Sequence, residues 1–238
     1  MRNVITIAGK ELRTYFVTPV AYVIVAFWLA ALGVFYWQAV PNGNQLTLVP
    51  VFNVLPILLL LIAPALTMRL LAEEQRAGTL ELLLTSPVQD WAVVLGKFLG
   101  ALGLFLSMSA LTLFYPILMV LFGGDPDWGP IWAGYVGLIL MGMAFMAVGL
   151  FASALTNNQM VSSVIAFVIL LIFFIMGVVS QNFGPGMADL LSKLSISDRF
   201  YDFPRGVIEW KSVVYYLTFT GVALFLTVQV VEARRYRA

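Results

Sequence analysis

Residues 14–68 read TYFVTPVAYVIVAFWLAALGVFYWQAVPNGNQLTLVPVFNVLPILLLLIAPALTM, and none of them is charged. A hydrocarbon layer about 30 Å thick takes roughly 20 apolar residues in helical form. This stretch therefore holds two crossings, separated by the turn-forming run Pro41, Asn42, Gly43 and Asn44. Helices are required because irregular backbone facing lipid leaves its N–H and C=O groups unpaired. The same absence of charge recurs from Phe98 to Gly124 and from Trp128 to Ala188.

Composition agrees with the pattern. Hydrophobic residues make up 61% of the chain and charged residues 11%, where a soluble domain carries about a quarter charged. The sequence has no cysteine and no histidine. Disulfides, thiolate metal sites, His-ligated zinc and Ser-His hydrolysis are excluded with them. No metal, no cofactor and no nucleic-acid partner is expected.

Six stretches satisfy the length requirement, near residues 20–40, 50–68, 98–122, 131–155, 160–180 and 213–231. The predicted fold is an all-α membrane protein, with residues 1–238 forming one transmembrane domain. The third and fourth crossings are long enough to tilt or to extend past the bilayer. The first follows Arg2, Lys10 and Arg13, yet exceeds the roughly 7–15 residues of a cleaved signal core, and is expected to be retained. With both termini on one side, that side holds Arg2, Lys10, Arg13, Arg69, Arg76, Lys97, Arg234, Arg235 and Arg237. The other holds Lys193, Arg199, Arg205 and Lys211. The excess of basic residues puts both termini in the cytoplasm of a plasma (inner) membrane protein.

The polar segments carry the working parts. Val4, Ala8, Leu12 and Tyr15 recur at helical spacing and predict an interfacial helix before the first crossing. Between the second and third crossings lies RLLAEEQRAGTLELLLTSPVQDWAVVLGK, residues 69–97. Gly78 and Thr79 are suited to end one helix and cap another, on which Leu80, Leu83 and Leu84 form an apolar face beside Glu81. Ser86, Pro87 and Gln89 read as a cap with proline at the first helical position, opening the helix into the third crossing. Three leucines on a short surface helix either meet a partner protein or dip among the lipid headgroups; composition leaves both open. Glu73 and Arg76 have the spacing of a weak helical ion pair. Residues 181–211 are amphipathic and predict short helices on the outer surface, serving as a gate or dock, or as a cap over the bundle.

The run from Ala72 to Val88, followed by Leu95-Gly96-Lys97-Phe98, resembles the segment between the second and third spans of ABC-2 type transporter permeases, most of all their gliding-motility-type subgroup. Lys10-Glu11-Leu12-Arg13 with Pro19-Val20-Ala21-Tyr22 resembles the N-terminal interfacial stretch of that family. Phe200-Tyr201-Asp202-Phe203 with Arg205-Gly206-Val207-Ile208 resembles its outer segment, and Val214-Tyr215-Tyr216-Leu217 and Glu232-Ala233-Arg234-Arg235 also fit. The resemblance implies a half transporter, probed by no chemistry of its own. Two permease chains, alike or different, each dock a separate ATP-binding cassette subunit through a cytoplasmic coupling helix. An accessory subunit outside the membrane is compatible with it. The residues expected to carry coupling are Glu73, Glu74, Arg76, Gly78, Thr79, Leu80, Glu81, Leu83, Leu84, Ser86 and Pro87.

ATP hydrolysis is not expected on this chain, because Gly96-Lys97 lacks the earlier glycine and the following Ser or Thr of a phosphate-cradling loop. Export is the expected direction, and the cargo is not legible. An ion-coupled carrier is the competing reading. It normally places a charged group inside the membrane, and none falls mid-span here, where Asn53, Gln38 and Gln229 are the main polar groups. A non-transporting scaffold is the third reading. Pro56, Pro64 and Pro116 each remove a backbone donor and predict bends in the second and third crossings. Gly96 with Gly100, and Ala133 with Gly137, have spacing that permits close helix contact.

Overall fold

The computed structural model describes residues 2–39, 47–79, 89–121 and 124–235. The turn at Pro41 to Asn44, Gly123, and the stretch from Leu80 to Val88 lie outside the described residues. The described chain is helical: α1 (Arg2–Val17), α2 (Pro19–Ala39), α3 (Val49–Thr67), α4 (Ala72–Arg76), α5 (Asp90–Leu111), α6 (Phe114–Leu121), α7 (Trp128–Leu155), α8 (Gln159–Ser180), α9 (Pro185–Leu194), α10 (Ile196–Phe200) and α11 (Trp210–Arg235). Among the described residues, six helical segments have the length and hydropathy to cross a membrane: Pro19–Gln38, Val49–Arg76, Asp90–Leu121, Trp128–Leu155, Gln159–Ser180 and Trp210–Arg234.

These crossings are the ones the charge-free lengths predict, with two differences. The helix into the third crossing begins at Asp90, because Gln89 is extended at φ −74°, ψ 139°. Pro87, expected as its first helical residue, lies outside the described residues. The last crossing begins at Trp210 rather than near Val213, since amphipathic residues at its start still continue the helix.

The fourth crossing, α7, is the hub. In its most apolar window 72% of residues are buried, against 17% in α2 and 22% in both α8 and α11. Small residues allow this. A side-chain carbon at Gly134 would fall 2.7 Å from the ring of Phe52, and one at Gly137 would fall 2.5 Å from that of Phe203. At Gly142 it would meet Phe105, and at Gly149 the hydroxyl of Thr67. Close-packed interiors tolerate no added atoms at such points. The second and third crossings and the segment around Phe203 thus press directly onto the α7 backbone.

The predicted bend in the third crossing falls at Thr112–Leu113, between α5 and α6. Pro116 has no N–H to give the carbonyl of Thr112, which accepts from Tyr115 at 3.0 Å instead. The Thr112 hydroxyl stays satisfied by the carbonyl of Ser109 at 2.6 Å and the hydroxyl of Tyr135 at 2.9 Å.

Residues 185–206 close the end of the bundle away from the termini. α9 and α10 lead into a 3₁₀ turn at Phe203–Arg205, stopped by Gly206 in the left-handed region at φ 86°. Ile196, Phe200, Phe203 and Tyr216 are fully buried there. The Tyr216 hydroxyl donates to the carbonyl of Ile196 at 2.8 Å, and Ser197 donates to that of Phe174 at 2.9 Å.

Candidate functional site

At the opposite end, which holds α1, α4 and the start of α5, polar residues are drawn inward. α1 lies along α5 because Gly96 and Gly100 present bare backbone. A side-chain carbon at Gly96 would sit 2.7 Å from Cβ of Ile7, and one at Gly100 would sit 2.5 Å from Cβ of Glu11. The close-contact spacing read for these glycines therefore serves packing within the chain. Val4 and Tyr15 are buried, as the helical period of α1 requires.

Between the two glycines' faces stands Lys97, whose side chain is 2% exposed. Its Nζ lies 2.7 Å from Oε1 of Glu11 on α1 and 2.8 Å from Oε1 of Glu74 on α4. One cation thus binds two carboxylates from two other elements. Burying an ammonium is costly unless it is paired and hydrogen-bonded, so this arrangement holds α1, α4 and α5 in one geometry. The second oxygen of Glu74, Oε2, is buried without a hydrogen-bond partner.

The connection from α3 into α4 is fixed just as tightly. The Ser153 hydroxyl, near the end of α7, accepts from the backbone N–H groups of Leu71 and Ala72, each at 3.0 Å, and donates to the carbonyl of Met68 at 3.0 Å. These backbone groups are among those that a helix end leaves without partners. Gln75 Nε2 reaches the carbonyls of Ser153 and Ala154 at 3.3 and 3.1 Å. Arg69 lies over the ring of Tyr15, 4.5 Å from its centroid, and the Tyr15 hydroxyl donates to the carbonyl of Leu66 at 2.6 Å. Burial pushes the Tyr15 hydroxyl well above its ordinary pKa, so it remains a neutral donor. Arg234 of α11 donates to the carbonyl of Leu155 at 3.1 Å.

The residues expected to carry coupling divide into three groups. Glu74 joins the buried cluster. Glu73, Arg76 and Thr79 are exposed, and Glu73 and Arg76 form no ion pair with each other, so their helical spacing is not used. Gly78 ends α4 at φ 68°, a conformation that strains any residue with a side chain. Leu80, Glu81, Leu83, Leu84, Ser86 and Pro87 lie outside the described residues.

Lys97, Glu11, Ser153 and Gln75 are the site residues that sequence reasoning did not single out. Lys97 counts as a loop cation until its partners are known. Its signal was a single charge set among Gly96, Phe98 and Gly100. Ser153 offered only a small polar residue near the end of an apolar run.

A family model described as ABC-2 family transporter protein matches residues 5–234. A comparison with curated proteins finds no match.

Proposed function

The chain belongs to the ABC-2 family of transporter proteins, and from that premise we propose that it is the permease subunit of an ATP-driven exporter whose 69–97 segment docks a separate ATPase in the cytoplasm. Two permease chains form the passage, with both termini cytoplasmic in the plasma membrane. Within the family, the gliding-motility-type subgroup is the one whose sequence pattern this chain follows.

The observation that carries the reading is the Lys97 cluster. The segment leading into the leucine-rich stretch is tied to the interfacial helix through Glu11 and Glu74, and to α7 through Ser153. A load that reaches α4 or the start of α5 is therefore passed to the second, third and fourth crossings through buried polar contacts. Discrete packed and hydrogen-bonded elements of this kind carry coupling between distant sites. On the docking surface itself, Leu80, Leu83 and Leu84 fill a groove of the ATPase, while Glu81 and the exposed Glu73 and Arg76 set its register by charge.

Support for a second chain comes from α3. Asn53, Ile57 and Leu61 recur every fourth residue and are all uncovered, Ile57 and Leu61 by 51% and 52%. An asparagine amide facing lipid is unfavourable, so this stripe faces the passage or the second permease chain.

Glu81→Lys and Leu83→Asp test the docking surface. Both variants are expected to insert normally and to lose the ATPase on co-purification. Undiminished ATPase with normal ATP turnover in both variants contradicts it.

A further inference from the structure

An exposed face of the molecule contains a groove of about 750 Å³ between α8 and α11. Its walls are apolar: Phe173 from α8, with Val214, Phe219 and Val222 from α11, and the Phe173 and Phe219 rings meeting edge to face at 4.9 Å. Its upper end is different, for Trp210 and Lys211 line it there, and Trp210 is 77% exposed. We propose that this groove binds one anionic phospholipid, with an acyl chain along α11 and the phosphate at Lys211, in the leaflet opposite the termini.

Three observations select that occupant. From Lys211 to Val222 the helix rises about 16 Å at about 1.5 Å per residue, which is half of a hydrocarbon layer about 30 Å thick. The groove thus has the depth of a single leaflet, and its volume falls within the roughly 300–1,000 Å³ of ligand-sized sites. The charge lies at one end only, at the level where Trp and Lys anchor to headgroups. Lys211 has no carboxylate partner among the described residues; Glu209 beside it is exposed. A second cation stands close by. Arg199 lies 5.6 Å from the centroid of the Tyr215 ring, which itself lines the groove, and the Arg199 Nε is buried without a hydrogen-bond partner. The Tyr215 hydroxyl is already committed to the carbonyl of Leu194 at 2.6 Å, so the tyrosine contributes its ring. Asp198, next to Arg199, faces Gly177 of α8 and does not line the groove.

This proposal does not depend on how the ATPase docks. It is tested by delipidating the full chain in a non-ionic detergent, adding phosphatidylglycerol or phosphatidylcholine, and counting retained lipids by native mass spectrometry. Wild-type chain is expected to retain phosphatidylglycerol in preference to phosphatidylcholine. Lys211→Gln should weaken phosphatidylglycerol retention about fivefold, the change worth roughly one surface cation against an anionic lipid. Val222→Trp, which fills the groove, should abolish retention of both. Equal retention of the two lipids by wild type, or phosphatidylglycerol retention unchanged in both variants, overturns the proposal. The chain has no cysteine, so Thr218→Cys gives a single thiol in the groove. Oxidative cross-linking of two copies through it in native membranes assigns the groove to a chain–chain contact and overturns the proposal as well; absence of that cross-link is the expected result.

Discussion

At the end where α1 meets α5, Lys97 is withdrawn from solvent between Glu11 and Glu74; at the other end Lys193 pairs with Asp189 in the open, both side chains more than half exposed. The interior at that end is filled instead by Ile196, Phe200, Phe203 and Tyr216. Both ends use side-chain hydrogen bonds to backbone, but one adds a buried ion cluster and the other adds aromatic packing. The contrast is mechanical. Packing of rings against a bare helix backbone gives one arrangement and resists sliding. An ion cluster with an unused carboxylate oxygen can exchange partners, which suits the end proposed to dock the ATPase.

The contrast breaks most visibly if the outer end is emptied. Phe203→Ala leaves a void against Gly137 and Tyr216 and is expected to cost about 3–5 kcal/mol, read as a lowered unfolding midpoint in detergent. An unchanged midpoint means the cap adds nothing to the bundle.

Lys97→Met strands two carboxylates together and is expected to cost about 3 kcal/mol, since removing one partner of a buried pair is far worse than never having it. The comparison sharpens with Glu11→Gln and Glu74→Gln added to Lys97→Met, which should recover part of the loss. If the triple variant is no better than the single one, charge is not what joins α1, α4 and α5.

Ser153→Ala removes one acceptor from two backbone N–H groups and one donor from Met68, for an expected loss of about 1–3 kcal/mol. Protection of Leu71 and Ala72 from amide hydrogen exchange should fall with it, while protection around Phe203 stays as it was.

The smallest effect concerns Asp198 at the outer end. Burial raises its pKa above the ordinary carboxylate value, with the Ser195 hydroxyl and Arg199 opposing the shift. The folded state therefore favours the protonated acid. Its contribution is present below the unfolded-state pKa and is lost as pH rises through the folded one. Asp198→Asn, which mimics the protonated acid, should flatten the unfolding midpoint's pH dependence on the acid side of neutrality, matching wild type at low pH and slightly exceeding it at pH 7. An unaltered pH profile contradicts a buried, shifted carboxyl.

The fold was largely legible in the sequence because lipid is an unforgiving solvent: a length without charge between turn residues admits few structures other than a crossing helix. The N-terminal helix was legible from Val4, Ala8, Leu12 and Tyr15, and the bend in the third crossing from Pro116. What was not legible was pairing across distance. Nothing local marks residue 97 as the partner of residues 11 and 74, and a cation next to a membrane span ordinarily counts toward orientation. Gly96 and Gly100 announced a close contact but not with what. Of the residues expected to carry coupling, Gly78 takes the positive φ that its type suggested, while Glu74 pairs with Lys97, a partner its position did not suggest. Glu73 and Arg76 are exposed and form no ion pair with each other.

The central claim is that the end containing the Lys97 cluster faces the ATPase. With no native cysteine, Thr79→Cys and Arg205→Cys place single thiols on exposed residues at the two ends of the bundle. In membranes carrying the ATPase, a thiol-to-amine cross-linker should join the ATPase to the residue 79 variant and not to the residue 205 variant. Cross-linking through residue 205, or through neither residue while the complex is intact, contradicts it.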